Sequence, residues 1–436
     1  MNSGLRKTYF RYLIAFVLTA LSSTLGNILD GIIVGNLIGP DAVAAVGTVM
    51  PVIQTFFTIV LLLAGGGGML MGISIGENRR DRANEVFTTA VTAIIGISLI
   101  GTVIGIVAPK IIGNLICPDS ALVNLSTTYL RWVLIFVPIY LGEEMLQTFV
   151  AVDGEPRLVT ASIITDNIVN VIASIILIKF TGLGIAGAAI GTAIGHSVAC
   201  LMLVVLHWKR NRAIQKLQFL LSRPFSPSTL RSIVAQGAPL ALASSTLTIM
   251  FFSANNIIID TLGKDGMFIF AVSLNTLLVY NLLLGGCIET LQSLGAIEKG
   301  KGGKGFRDIV SLTYRLLGIS TSLICIFIWI CPGLITGLFG GNEHPELLSS
   351  TNEALRRMAP AFIFFCLINV HMIVCKLEEK NGIALFISLA LSLTVIPVLW
   401  AFAHFAPAHI WWSFLAAYLI EIVAIFSAEK ITAKKT

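Results

Sequence analysis

Apolar residues fall into long runs along the chain, broken by short polar or Gly/Pro-rich stretches. A bilayer core about 30 Å thick takes about 20 residues of helix. Runs of that kind predict twelve spans, over 11–36, 43–72, 86–108, 126–150, 158–180, 184–206, 232–259, 267–294, 309–331, 354–375, 383–405 and 409–428. The start imitates a secretory signal, with Arg6, Lys7 and Arg11 ahead of an apolar run from Tyr12 to Ala20. That run continues to Gly35, so it is read as a first span that stays attached. An even number of spans returns both ends of the chain to one side.

Charge gives that side its identity. Lys and Arg concentrate in short cytoplasmic loops of multispanning proteins. Twenty-two of the 29 basic residues fall on the side of the termini, against three, Lys110, Lys179 and Lys264, on the other. Arg131, Arg315, Arg356 and Arg357 lie within or at the ends of spans. Both termini are therefore expected in the cytoplasm, with the chain in the plasma (inner) membrane of a prokaryote.

The chain also repeats itself. Ala20 to Leu25 echoes Leu242 to Leu247, Gly39-Pro-Asp41 echoes Gly263-Lys-Asp265, Pro109, Ile112 and Leu115 recur as Pro332, Ile335 and Leu338, and Leu130-Arg131 recurs as Leu355-Arg356. The offsets run only from 222 to 225 residues. The expected architecture is thus an all-α integral membrane protein, twelve transmembrane helices in two pseudo-symmetric six-helix bundles, 1–206 and 232–436, joined by a basic cytoplasmic linker, 207–231. Two parallel bundles of this kind are a transporter architecture.

Several segments then resemble the multidrug and toxic compound extrusion family, within the wider multidrug/oligosaccharidyl-lipid/polysaccharide exporter superfamily. These are Asn27 to Gly39 with Ala42 to Gly47, the loop Gly76 to Ala83, the turn Asp153-Gly-Glu-Pro156, and Gly182 to Thr192 opening the sixth helix. The resemblance implies a secondary-active exporter that exchanges lipophilic, often cationic organic compounds for H⁺ or Na⁺ by alternating access. A flippase of lipid-linked oligosaccharides from the same superfamily is the alternative. The major facilitator family shares the helix count, but its Asp-Arg-x-Gly-Arg loop pattern is missing from Gly76 to Asp81.

An ionised side chain inside a span is costly and is by default a functional candidate. Asp30 leads, on the same side of its helix as Asn27, and protonation there would switch the local hydrogen-bond network. The resemblance places Asp30 at the ion-coupling site, with Na⁺ as well as H⁺ possible. On helix five Asn170 matches the family, while the aspartate expected one turn later is Ser174, leaving Asp166 as a candidate replacement; Thr192 matches on helix six. Weaker candidates for substrate binding are Glu143, Glu144, Glu289, Phe149 and Phe251; Glu143, Glu144, Glu289 and Glu421 could instead each pair with Arg315 or a loop lysine. His196 and His371 are read as packing residues. The repeat supplies no carboxylate on helix seven to answer Asp30, so coupling is expected in the first half alone.

Composition narrows the rest. At 56% hydrophobic, 12% charged and a mean hydropathy of +0.89, the chain is no nucleic-acid binder, disordered protein or ordinary cytosolic enzyme. No catalytic constellation or cofactor motif is present, Gly300 to Gly305 lacks the context of a nucleotide loop, and Gly65 to Gly68 reads as close packing inside helix two. The seven cysteines lack C-x-x-C or zinc-like spacing and are read as apolar core. The partners expected are small organic substrates and the lipid bilayer, with the chain acting as a monomer.

Overall fold

With no water inside a bilayer, each apolar run must satisfy its backbone within itself, and a helix does so. The computed structural model describes residues 3–116, 122–209, 225–338 and 345–433, and among these the regular elements are all helical. Among the described residues twelve helices are long and apolar enough to span: α1 (Ser3–Leu37), α2 (Asp41–Gly76), α3 (Arg80–Val107), α4 (Val123–Val152), α5 (Pro156–Phe180), α6 (Ile185–His207), α7 (Pro227–Gly263), α8 (Asp265–Gly300), α9 (Lys304–Ile330), α10 (Leu347–Leu377), α11 (Asn381–Phe405) and α12 (Pro407–Lys430). They correspond one to one with the expected spans. Most run several residues further at their ends, because the helix continues past the apolar run into polar residues such as Arg80 to Asn84. Most of the linker, 210–224, and Cys117 lie outside the described residues.

The joints repeat between the halves. Gly39 (φ 126°) separates α1 from α2 and Gly263 (φ 67°) separates α7 from α8. The turn Asp153-Gly154 (φ 101°) before α5 recurs as Glu378-Glu379 (φ 62°) before α11, with a glutamate where the first half has glycine. Short helices at Pro109–Ile116 and Pro332–Leu338 follow α3 and α9. Pro51, Pro138, Pro239 and Pro360 sit inside α2, α4, α7 and α10, and α11 breaks at Thr394 ahead of Pro397. A π-turn interrupts α2 at Leu61–Gly65 and α8 at Leu291–Gly295.

By its internal contacts the chain divides into two units, Met1–Gly237 with Gln292–Gly305, and Ala238–Leu291 with Phe306–Thr436. The first unit thus takes in the start of α7 and the end of α8. There α2 and α8 cross on small residues four apart, the packing that lets backbones approach in lipid. A Cβ on Gly72 would lie 2.7 Å from the Ala296 Cβ, and one on Gly76 would overlap the Ile297 carbonyl. A Cβ on Gly66 or Gly237 would likewise overlap backbone, of α7 and α2 respectively. In the second unit Thr246 of α7 donates to the Ser388 carbonyl of α11 (3.1 Å), and Trp329 of α9 and Arg356 of α10 each donate to the other's carbonyl. Large apolar side chains stand outward, as on α3, where Leu99, Ile100, Val103, Ile106 and Val107 are all exposed. Such a face suits lipid and would be a liability in water.

Candidate functional site

Glycines spaced four apart on α6 build the site. Added Cβ atoms on Gly187, Gly191 and Gly195 would meet, in turn, the Leu177 and Ile178 backbone, Ser174, and Asp166 with Asn170. The stripe therefore seats α5 directly on α6 and brings its polar residues against Thr192 and His196. On its other side α5 docks α1 through a polar face. Thr160 donates to the Ala15 carbonyl (2.9 Å), and Asn167 donates to the carbonyl and the hydroxyl oxygen of Ser22 (2.9 Å each).

Continuing that face, the Asn170 amide donates to both carboxylate oxygens of Asp30, at 3.0 Å each. The Asn170 carbonyl oxygen in turn accepts from Ser174 (3.0 Å) and Thr192 (3.3 Å). Asp30 is half-buried, while Asn170 and Ser174 are buried. Four side-chain oxygens, from Asp30 of α1, Ser174 of α5 and Thr192 of α6, thus converge on the Asn170 amide, with a single carboxylate among them. Such a set can take up a proton on Asp30 or offer oxygens to a hard cation.

Beyond it lies a second polar group centred on His196. Its Nδ1 stands 3.4 Å from Glu143 Oε2 of α4 and 3.7 Å from Asp166 Oδ2 of α5. Tyr140 of α4 places its ring edge-on to the imidazole, centroids 5.0 Å apart, and donates to the Ala189 carbonyl at 3.0 Å. Glu144 and Asp30 are within electrostatic range of the imidazole. The Glu143 side chain is wholly buried, and one oxygen each of Glu143 and Asp166 has no hydrogen-bond partner among the described residues. Two buried carboxylates thus face one imidazole, and Glu143 also accepts from the Gln147 amide.

Several sequence expectations change here. Asn27 is exposed on α1 and does not join the Asp30 network among the described residues. Three residues along a helix leave two side chains about 60° apart, and only Asp30 turns toward α5. Asp166 meets His196 rather than Asn170 or Asp30, so it belongs to the second polar group. His196, read as a packing residue, stands against two carboxylates, Glu143, which also accepts from the Gln147 amide, and Asp166. Phe149, expected to bind substrate, is fully buried, edge-on to Phe87 at 5.1 Å and against Gly67. Phe251 and Glu144 are half-buried. In the second unit Glu289 lies within electrostatic range of Lys376 on α10. Glu421 is buried, and neither of its oxygens is bonded among the described residues. His371, also read as packing, contacts Tyr314, Cys375 and Glu429.

The MatE family model matches residues 15–176, which contain Asp30, Glu143, Asp166 and Asn170. The multidrug export protein MepA of Staphylococcus haemolyticus is 22% identical over 213 residues, 49% of this chain and 47% of that protein. The probable multidrug resistance protein YoeA of Bacillus subtilis is 24% identical over 208 residues, 47% of this chain and 45% of that one. The chain therefore spans about half the length of these two relatives. MepA of Staphylococcus aureus matches more broadly, 21% identical over 356 residues and 76% of its length. Among solved structures, a MATE protein in complex with MaL6 superposes with a TM-score of 0.87 at 18% identity over 100% of both chains. An outward-facing multidrug resistance MATE family transporter gives 0.86 at 19% identity over 99% and 97%. At these identities the structures establish the shared fold.

Proposed function

Because the chain belongs to the multidrug and toxic compound extrusion (MATE) family of membrane transporters, we propose that it is a secondary-active multidrug exporter. It would act as a monomer in the plasma membrane, both termini cytoplasmic, exchanging lipophilic and often cationic organic compounds for H⁺ or Na⁺ by alternating access. The observation that carries this reading is the Asp30 carboxylate held at both oxygens by the Asn170 amide, with Ser174 and Thr192 anchored to the same side chain.

An ion arriving at Asp30 removes the charge that the Asn170 amide bonds. A hydrogen bond to a charged group contributes about 1.5–3 kcal/mol, so its loss shifts a two-state balance by about 10- to 150-fold. Asn170 holds hydroxyls of α5 and α6 while Asp30 sits on α1, so the change is felt by three helices at once. Ion entry then favours one facing state, and substrate exit follows by linkage if the two states differ in substrate affinity. His196, within electrostatic range of Asp30, extends the ion-sensitive region toward Asp166 and Glu143.

The test is reconstitution in proteoliposomes with pH and Na⁺ gradients imposed separately and efflux of a fluorescent organic cation followed. Acceleration by one gradient, abolished by the matching ionophore, is expected. Movement of a labelled lipid-linked sugar without response to either gradient would favour the flippase instead. Arg131 and Arg315 are both exposed on their helices, which gives that alternative no buried basic group at those positions.

A further inference from the structure

We propose that His371, Cys375 and Glu429 form a binding site for a zinc-class divalent cation, tying α10 to α12 inside the second unit. The site is separate from the coupling network and does not depend on the transport reading. His371 and Cys375 lie four residues apart on α10, one above the other on one face, and Glu429 reaches them from α12. The sequence hides this arrangement, because H-x-x-x-C on a helix is not a zinc-finger spacing and the third ligand lies 54 residues on.

The distances favour coordination. His371 Nε2 stands 3.2 Å from Glu429 Oε1 and 3.6 Å from Cys375 Sγ, and one ligand atom from each residue lies within 4.8 Å of the others. Tetrahedral zinc, with bonds of about 2.0–2.1 Å to N or O and about 2.3 Å to S, sets those two edges at about 3.3 and 3.6 Å. The donor set is borderline to soft, which selects Zn(II), Co(II) or Cd(II) and disfavours Mg(II) and Ca(II).

A further residue completes the site. Tyr314 of α9 places its hydroxyl 3.0 Å from His371 Nδ1. Without the ion, Tyr314 can donate to Nδ1 while Nε2–H donates to Glu429. With the ion, the ring proton moves to Nδ1, Tyr314 accepts it, and the Nε2 lone pair faces the metal, as the outer partner of a metal-bound histidine does. The Cys375 side chain is buried, whereas those of His371 and Glu429 are 29% and 27% exposed, leaving a route for the ion and room for water as a fourth ligand. Glu378 and Lys380 approach Cys375 and bond each other at 2.6 Å, so the acid excess at the site rests with Glu429, and the Cys375 thiol gives up its proton to solvent as it binds the ion.

The probe is Co(II), titrated into the full-length, chelator-stripped protein in lipid nanodiscs. The expected result is one equivalent bound, with a thiolate-to-cobalt charge-transfer band and tetrahedral ligand-field bands, displaced by Zn(II) and indifferent to excess Mg(II). Cys375→Ser should abolish the charge-transfer band and Cys331→Ser should leave it intact. Tyr314→Phe should weaken binding by about 10- to 100-fold. Absence of the band in the parent protein, or its survival in folded, monodisperse Cys375→Ser, would overturn the proposal. Because folding could be impaired by replacing a buried residue, Glu429→Gln, at a partly exposed position, serves as a second variant. Unchanged Co(II) affinity in it would equally overturn the site.

Discussion

The crossing of α2 and α8 allows a sharp prediction, because backbone meets backbone there. A Cβ on Gly76 would overlap the Ile297 carbonyl oxygen and lie 2.8 Å from Gly300 Cα; one on Gly300 would overlap the Ile73 carbonyl and lie 2.9 Å from Gly76 Cα. Restoring ordinary carbon contact, about 3.5 Å at the closest, would require the helices to part by about 1 Å. Overpacking of this kind costs about 1–3 kcal/mol, equal to a loss of about 5- to 150-fold in the population that keeps the crossing closed. Ser293 is 1% exposed in the same unit, so Ser293→Cys, in a chain whose other cysteines are replaced, reports opening by its maleimide labelling rate. Gly76→Ala should raise that rate by the factor above, as should Gly300→Ala. The double variant should fall short of the product, since both substitutions strain one contact. Labelling of Gly76→Ala at the parental rate would refute the argument that this crossing is set by glycine.

Three further outcomes follow from the same geometry. Gly195→Ala pushes a methyl into Asp166, its backbone oxygen 2.8 Å away, and should cut efflux at least about 10-fold, while Gly96→Ala on α3, with nothing within 4 Å, should transport normally. Asp153 and His207 are buried and bonded at 2.8 Å, so Asp153→Ala should cost about 3 kcal/mol in thermal unfolding, and the double variant with His207→Ala should cost less than the sum of the two single ones. Glu379 holds φ at 62° where the first half has Gly154. Glu379→Gly should therefore raise thermal stability by about 1 kcal/mol, strain relief outweighing the added freedom of the unfolded chain.

Hydropathy made the twelve helices legible, because lipid demands a continuous apolar run and leaves little else that the run could be. It misjudged their ends, where polar residues such as Arg80 and Asn84 extend a helix beyond the hydrocarbon without belonging to the apolar run. Asp30 stood out as a charge in lipid, and its pairing with Asn170, 140 residues away, was implied by family resemblance rather than by periodicity. The His196 group was hidden for a physical reason. Its members come from α4, α5 and α6, and only the glycine stripe of α6 determines which faces of those helices meet. Gly187, Gly191 and Gly195 do carry that signal as a four-residue spacing, and Gly72-x-x-x-Gly76 carries the corresponding one on α2. Phe149 shows the reverse error, an aromatic residue taken for a ligand contact that instead fills the space between Phe87 and Gly67.

The measurement that bears most directly on ion coupling compares Asp30→Asn with the parent protein in the same proteoliposomes. An amide at this position stays neutral at every pH and cannot release or take up the coupling charge. Asp30→Asn should still bind the organic cation and equilibrate it downhill, but gain nothing from an imposed pH or Na⁺ gradient. Gradient-driven efflux at the parental rate in this variant would contradict ion coupling at Asp30.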